Sequence, residues 1–459
     1  MQRYSIVLFI FSTIAALALL CAVFPEDGVS IGNVQLNFPS VSDILTGTSA
    51  SAAESPEALL ERRARAAEAG KERFLEWFAN DSARFDLPGG DLTFFDPLFE
   101  AFDRAGEEKV RIVHYGDSQL EEDRMTGTVR NALQQKFGGG GVGMLPIKEY
   151  FTLNEGEGAT AQLPSYMVFA DAEHRAGNNR YGPMGQFTRL DSAITVSFWP
   201  MKGNNGAAKY FNRITLIAGT PDGSLGAACR NSKATIAQGK TYSRTVFELR
   251  DSTTKASLSL SGKADLYAVL LDNATGICVD NVAMRGCAGT IFTAISSHQL
   301  SSFYRDENVR LIIMQYGGNV VPYVKTDAAI SDYKASVQKQ IRYLQGLAPD
   351  ALIIFIGPSD MATSIKGKRQ TWPHLKQLTD SLRAGVTQAG AAYWDLYAAM
   401  GGENSMVQWV SAKPPLAGSD YIHFTPRGSE FAGQMFSNSL LFYYDYYRWR
   451  KENENENEK

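Results

Sequence analysis

The chain has 459 residues, of which 44% are hydrophobic and 20% charged, the mixture of a globular protein. That length permits more than one domain with a sizeable core. A formal net charge of −4, without a basic stripe interleaved with aromatics, excludes nucleic acid as the expected partner.

The first element in the chain is "SIVLFIFSTIAALALLCAVF", Ser5 to Phe24, twenty residues without a charge. It is long enough to cross a bilayer as a helix. No clear small-x-small cleavage site follows, so residues 1–24 read as an uncleaved signal anchor. A cleaved signal, leaving a soluble periplasmic protein, is the alternative. Arg3 is the only charge ahead of the span and puts the remainder on the extracytoplasmic side, anchored to the inner membrane. Residues 25–55 carry Gly, Ser, Pro and Thr without period and read as a flexible tether. Ser55–Asn80 reads as a helix with Ser55 as N-cap and Pro56 in its first turn, opening a helical lead-in over 56–108.

Val110–Gly116, Val309–Gly318 and Ala351–Gly357 are short apolar runs ending in glycine, which predict strands buried on both faces. Ala391–Ala399 predicts a fourth. Helices are predicted at Ser118–Phe137, Asp332–Leu347 and His374–Ala389. In the first of them Leu120, Met125, Val129, Leu133 and Phe137 make one apolar stripe, and "GGGG" at Gly138–Gly141 ends it. The alternation indicates an α/β domain with a parallel sheet, in two pieces at 109–150 and 277–449. Between them, over 151–276, pieces such as "AITVSFWP", "NRITLIAG" and "ADLYAVLLD" predict an inserted antiparallel β-sandwich. The polar repeat at 450–459 reads as disordered. Cys229, Cys278 and Cys287 permit one disulfide in an oxidising compartment, with nothing to choose the pair and no zinc-site spacing.

Ser118 follows the first glycine-ended strand, where short loops of an open α/β sheet gather ligands. Asp117 or Ser118 is either a helix cap or, for the serine, a nucleophile. A serine needs an imidazole as base, and the imidazole needs an acceptor. Of the five histidines, His423 is the one with a carboxylate at close spacing ahead of a helix start: Asp420 lies three residues before it, and Thr425-Pro426 follow.

These residues resemble the four ordered blocks of the SGNH (GDSL-type) hydrolases. The blocks are "YGDSQ", "DNVAMRGCAGT" at Asp280–Thr290, "YGGNVV" at Tyr316–Val321 and "SDYIH". Gln119 stands where the family usually has leucine, Met284 where an asparagine is common, and Val320 where an aspartate is common. The resemblance implies the flavodoxin-like three-layer α/β/α fold. It implies Ser118 as nucleophile, His423 as base and Asp420 as its acid partner. The Ser118 and Gly286 N–H groups and the Asn319 side chain would form the oxyanion hole, with Gly289 near enough to compete with Gly286. No metal or organic cofactor is implied.

The layout, with a carbohydrate-binding-like β-domain between the first and second blocks, is similar to that of bacterial peptidoglycan O-acetylesterases of this family. The expectation is therefore a serine esterase that deacetylates an extracytoplasmic glycan, peptidoglycan first. The alternatives are an O-acetyltransferase working beside a membrane acyl donor protein, and a non-catalytic glycan-binding protein. Trp199, Tyr210 and Phe211 are candidate stacking surfaces within the insert, with core packing as the competing reading.

Overall fold

The computed structural model describes residues 70–148, 163–200 and 206–457, together with the backbone of 29–31, 34–36 and 155–159. The span expected at Ser5–Phe24 lies outside the described residues. Among the described residues no helix is long and apolar enough to cross a membrane. The chain divides into two units, Met1–Leu75 and Glu76–Lys459. Inside the expected tether of the first unit, Val29–Ile31 pairs antiparallel with Val34–Leu36.

The second unit is organised by a six-stranded sheet. Its strands are β1 (Phe85–Asp86), β2 (Lys109–Gly116), β3 (Gly276–Ala283), β4 (Val309–Gln315), β5 (Leu352–Ile356) and β6 (Ala392–Trp394), in the spatial order β3-β2-β4-β5-β6-β1. Strands β2 to β6 are parallel. Strand β1 closes the β6 edge antiparallel, so part of the expected helical lead-in belongs to the sheet. The period of two along each strand sends side chains to opposite faces. Ile112, Leu311 and Ile313 enter one core, and Val113, Ile312 and Met314 the other.

Helices α1 (Asp96–Asp103), α2 (Thr126–Phe137) and the terminal α6 (Pro426–Asn457) cover the first face. Helices α3 (Ser297–Asp306), α4 (Asp327–Leu347) and α5 (Leu375–Gln388) cover the second. On α2 the predicted stripe is observed: Val129 and Leu133 are fully buried. Each such side chain contributes roughly 1.5–3 kcal/mol. The result is a three-layer α/β/α sandwich.

Three departures from expectation have physical causes. Strand β3 escapes hydropathy because Asp280 and Asn281 interrupt its apolar run, yet both are buried, Asp280 by pairing with Arg111. The helix expected from Ser118 begins only at Thr126. Before it, Ser118–Asp123 forms a 3₁₀ turn, broken where Glu122, Asp123 and Met125 take positive φ. Helix α6 runs to Asn457, through the repeat expected to be disordered, and carries an i,i+4 Arg448–Glu452 pair at 3.7 Å. The three cysteines outside the N-terminal span are buried and free.

Between β2 and β3 the chain builds two antiparallel sheets. The larger has the order Ser243–Thr253, Phe211–Gly219, Ala264–Asp272, Gln186–Leu190, Ser165–Met167. The smaller runs Ser232–Ile236, Leu225–Cys229, Ala256–Ser261, Ile194–Pro200, Glu155–Ala159. Leu216, Leu266 and Val269 of the first face Val196, Leu225 and Leu258 of the second in one core. Pairing with the larger sheet starts earlier than expected, since Gly143–Leu145 adds to Ala264–Asp272. Ile217, Ala268 and Leu270 on the sheet's other side join the core over α3, so Ala264–Asp272 is buried throughout.

Candidate active site

Strand β2 is flanked by β3 on one side and β4 on the other. Successive crossovers therefore leave it in opposite directions, and the loops at its carboxyl end open a crevice there. Ser118 follows β2, Gly286 follows β3 and Asn319 follows β4. All three line one cavity of about 620 Å³ with Asp420 and His423. That volume is within the usual range for small-molecule sites.

The Asp117–Ser118 pair divides its duties. Asp117 Oδ1 accepts the Gln119 N–H at 3.0 Å and so caps the 3₁₀ turn, leaving the serine hydroxyl without a capping role. Ser118 Oγ lies 2.9 Å from His423 Nε2. On the ring's other side, His423 Nδ1 lies 2.7 Å from Asp420 Oδ2. The second Asp420 oxygen accepts the Ile422 and His423 N–H groups at 3.0 and 3.1 Å. Burial alone raises the Asp420 pKa. The hydrogen bonds from the imidazole and the two backbone groups outweigh it and hold the carboxyl below its ordinary value. A hydroxyl, an imidazole and an ionised carboxylate thus form one hydrogen-bonded chain across 305 residues of sequence.

The floor ties three loops together. Asn319 Nδ2 donates to Asp117 Oδ2 at 3.1 Å and to the Cys287 carbonyl at 3.2 Å. Both of its amide hydrogens are therefore engaged. Asp117 is buried, and desolvation raises its pKa to about 6 against the opposing pull of the Gln119 N–H, His423 and Asn319. Arg285 clamps buried Glu121 with two bonds of 2.6 and 2.9 Å, and Asn281 Nδ2 donates to the Leu120 carbonyl at 2.9 Å. These bonds hold the Ser118 turn against the turn that follows β3.

That turn contains both candidate glycines. Gly286, at φ +78°, lines the cavity with open space where a side chain would start. No described backbone carbonyl accepts its N–H. Gly289, at φ +74°, is packed on Tyr316, whose Cδ2 lies 2.5 Å from where a Cβ would be. The two glycines thus occupy distinct places, and only Gly286 borders the cavity.

Two residues here had no assigned role in the sequence. Gln119 looked like a mere departure from leucine, but its side chain reaches Ile422 at 2.7 Å and Phe424 at 3.3 Å. Tyr323 sits on the cavity rim and is 78% exposed. Its exposure was invisible in the sequence, where it stands in a mixed loop. Of the insert's aromatics, Phe211 is core, whereas Tyr210 is exposed and Trp199 lies half-buried under the Lys255 ammonium.

No family model matches the chain, and no curated protein sequence matches it. Among solved structures, it is similar to a peptidoglycan O-acetylesterase, with 20% identity over 76% of this chain and 96% of that one and a TM-score of 0.62. A family two carbohydrate esterase from Cellvibrio japonicus is 9% identical, over 64% of this chain and 98% of that one, with a TM-score of 0.24. An acetyl xylan esterase is 13% identical, over 36% of this chain and 81% of that one, with a TM-score of 0.26. The first of these likenesses shows a shared fold: the chain has the α/β architecture of a solved peptidoglycan O-acetylesterase.

Proposed function

We propose that this chain is a serine esterase of the SGNH type that removes O-acetyl groups from an extracytoplasmic glycan, with peptidoglycan the foremost candidate. The observation that carries the reading is the Ser118–His423–Asp420 hydrogen-bonded chain opening into a cavity. The likeness of fold to a peptidoglycan O-acetylesterase supports the choice of polymer. The charge-free run at Ser5–Phe24 supports an extracytoplasmic site with a membrane anchor.

In this reading Ser118 Oγ attacks the acetyl carbonyl as its proton passes to His423 Nε2. Asp420 keeps the Nδ1–H tautomer and stabilises the imidazolium. The Ser118 and Gly286 N–H groups receive the oxyanion. Asn319 joins them by exchanging one of its present acceptors. Each of the two backbone donors lowers the barrier by about 3 kcal/mol, because it is oriented before charge develops. Collapse breaks the bond to the sugar oxygen, which leaves as a hydroxyl with the proton from His423; water then attacks the acetyl carbonyl as His423 takes its proton, and acetate leaves as that proton returns to Ser118 Oγ. The His423 side chain is 37% exposed, which gives water access to the acyl group. The open face of Tyr323 at the rim suits stacking on a sugar ring.

The test is covalent labelling of the full chain with a fluorophosphonate probe, paired with acetate release from O-acetylated peptidoglycan. Labelling and release that both vanish in Ser118→Ala are expected. An intact wild-type protein that neither labels nor releases acetate sinks the reading. Acetylated product appearing on an acceptor glycan, in place of free acetate, would replace hydrolysis by transfer.

A further inference from the structure

We propose that Gln119 is a positioning residue that sets the distance between Ser118 and His423. Its amide holds the chain on both sides of the imidazole. Gln119 Nε2 donates to the Ile422 carbonyl at 2.7 Å, and Gln119 Oε1 accepts the Phe424 N–H at 3.3 Å. These are the residues immediately before and after His423. A carboxamide has the donor and acceptor of a peptide unit, so Gln119 pairs with the His423 segment as one rung of a β-ladder would.

The need for such a bracket follows from where the imidazole stands. The side chains of His423 and Asp420 are 37% and 48% exposed, so little packing fixes them. Between them Tyr421 takes a left-handed conformation at φ +61°. The loop's other bonds run within itself or to a different element. Gly418 donates to the His423 carbonyl at 2.8 Å and Tyr421 to the Gly418 carbonyl at 3.0 Å, while Ala362 donates to the Tyr421 carbonyl at 3.1 Å. None of these refers the imidazole to the nucleophile. Gln119 does, because it is covalently next to Ser118. Its own backbone is fixed in turn by the Asp117 cap. One short turn thus presents the hydroxyl and grips the segment bearing its base. Leucine, usual at this place in the family that the chain resembles, has no polar group to make either bond.

The inference rests on the esterase reading, and the experiment separates the two. Gln119→Met keeps the length of the side chain and removes both bonds. Gln119→Glu keeps the acceptor for Phe424 and sets a carboxylate against the Ile422 carbonyl. Both variants are expected to lower kcat on 4-nitrophenyl acetate about ten- to a hundredfold with KM within about twofold, as misplacement of a reacting pair does. The imidazole NMR signals of His423 are expected to be single in the wild type and to broaden or double in Gln119→Met while the rest of the spectrum stays in place. Wild-type kcat in both variants, or a loss carried by KM alone, overturns the inference and leaves the esterase reading standing. Unchanged His423 signals overturn it whether or not the protein turns over. An inert wild type fails the esterase reading instead, and the NMR comparison then decides the positioning role alone.

Discussion

Asp117 and Ser118 are neighbours with opposite environments, and their chemistry follows from that contrast. The carboxyl of Asp117 is 4% exposed, and desolvation lifts it to about 6. The folded protein therefore holds this proton more tightly than the unfolded chain, whose value is 3.8. Its contribution to stability is fully present below about pH 4 and is lost as pH rises through about 6. From the size of that interval, roughly 3 kcal/mol is at stake. In urea unfolding, the stability of the wild type relative to Asp117→Asn is expected to fall by up to that amount between pH 4 and pH 7. A pH-independent difference would show that burial does not control this group. Asp420 shifts the other way, so it remains ionised at pH values where an ordinary aspartate begins to protonate. Asp420→Asn leaves the loop's shape largely intact but removes the charge that selects the imidazole tautomer. The expected loss in kcat is on the order of 10⁴-fold, measured on 4-nitrophenyl acetate.

The turn after β3 shows how one short element can separate a packed glycine from one that borders the cavity. A side chain at 289 meets the Tyr316 ring at 2.5 Å on a backbone of positive φ. Overpacking and left-handed strain together put the cost of Gly289→Ala at roughly 2–4 kcal/mol. Gly286→Ala meets no neighbour and carries the backbone term alone, about 1–2 kcal/mol. Thermal unfolding is expected to rank Gly289→Ala well below Gly286→Ala. Acetate release at a temperature where both are folded is expected to rank them in reverse: alanine keeps the N–H, but relief of its left-handed strain turns that N–H away from the oxyanion, and losing one donor costs up to roughly a hundredfold in rate. Equal effects of the two on both measurements would contradict the separation. The 3₁₀ turn at Ser118–Asp123 belongs to the same scale. Its apolar positions, Leu120 and then Met125 and Val129, have helical spacing and are buried, which is why the sequence reads as one helix. Spacing does not report the positive φ at Glu122, Asp123 and Met125, because that conformation is held by tertiary bonds to Asn281, Arg285 and Arg130.

Across the whole second unit, the inserted sheets are fixed to the α/β layers by a buried ionic cluster as well as by apolar contact. Lys109 and Arg111 of β2 meet Asp272 of the insert, Asp280 of β3 and Glu307 after α3, and Arg244 of the insert meets Glu307. Three cations face three carboxylates, so the cluster is neutral as a set. Burial pushes Glu307 upward, but Arg111, Lys109 and Arg244 together bring it down to about 2. Its stabilising share is present above the ordinary carboxylate range and is lost as pH falls through about 2. Arg111→Met removes one member and strands buried Asp280, leaving Lys109 as the one cation on Asp272. A loss of about 3–5 kcal/mol in urea unfolding is expected, the typical result of breaking a buried pair from one side. Near-wild-type stability would mean that water enters the cluster.

Hydropathy alone located four of the six central strands and the order of strand and helix, since runs such as Val110–Gly116 can be buried on both faces only in a covered sheet. It missed β3, whose charged and amide residues are tolerated because partners 161 to 169 positions away accept or neutralise them. The candidate site was legible as residue types: a serine after a strand, a histidine three residues past an aspartate, an asparagine after another strand. Those letters carry chemistry by themselves, because few side chains can act as nucleophile, base and acid partner. What only the folded chain decided is which of them touch. The packing of Gly289 on Tyr316 while Gly286 borders the cavity, the engaged state of Asn319 and the grip of Gln119 on the His423 segment are all distances between residues remote in sequence. Such distances depend on how the layers pack, and packing is a property of all the buried surfaces at once rather than of any local stretch.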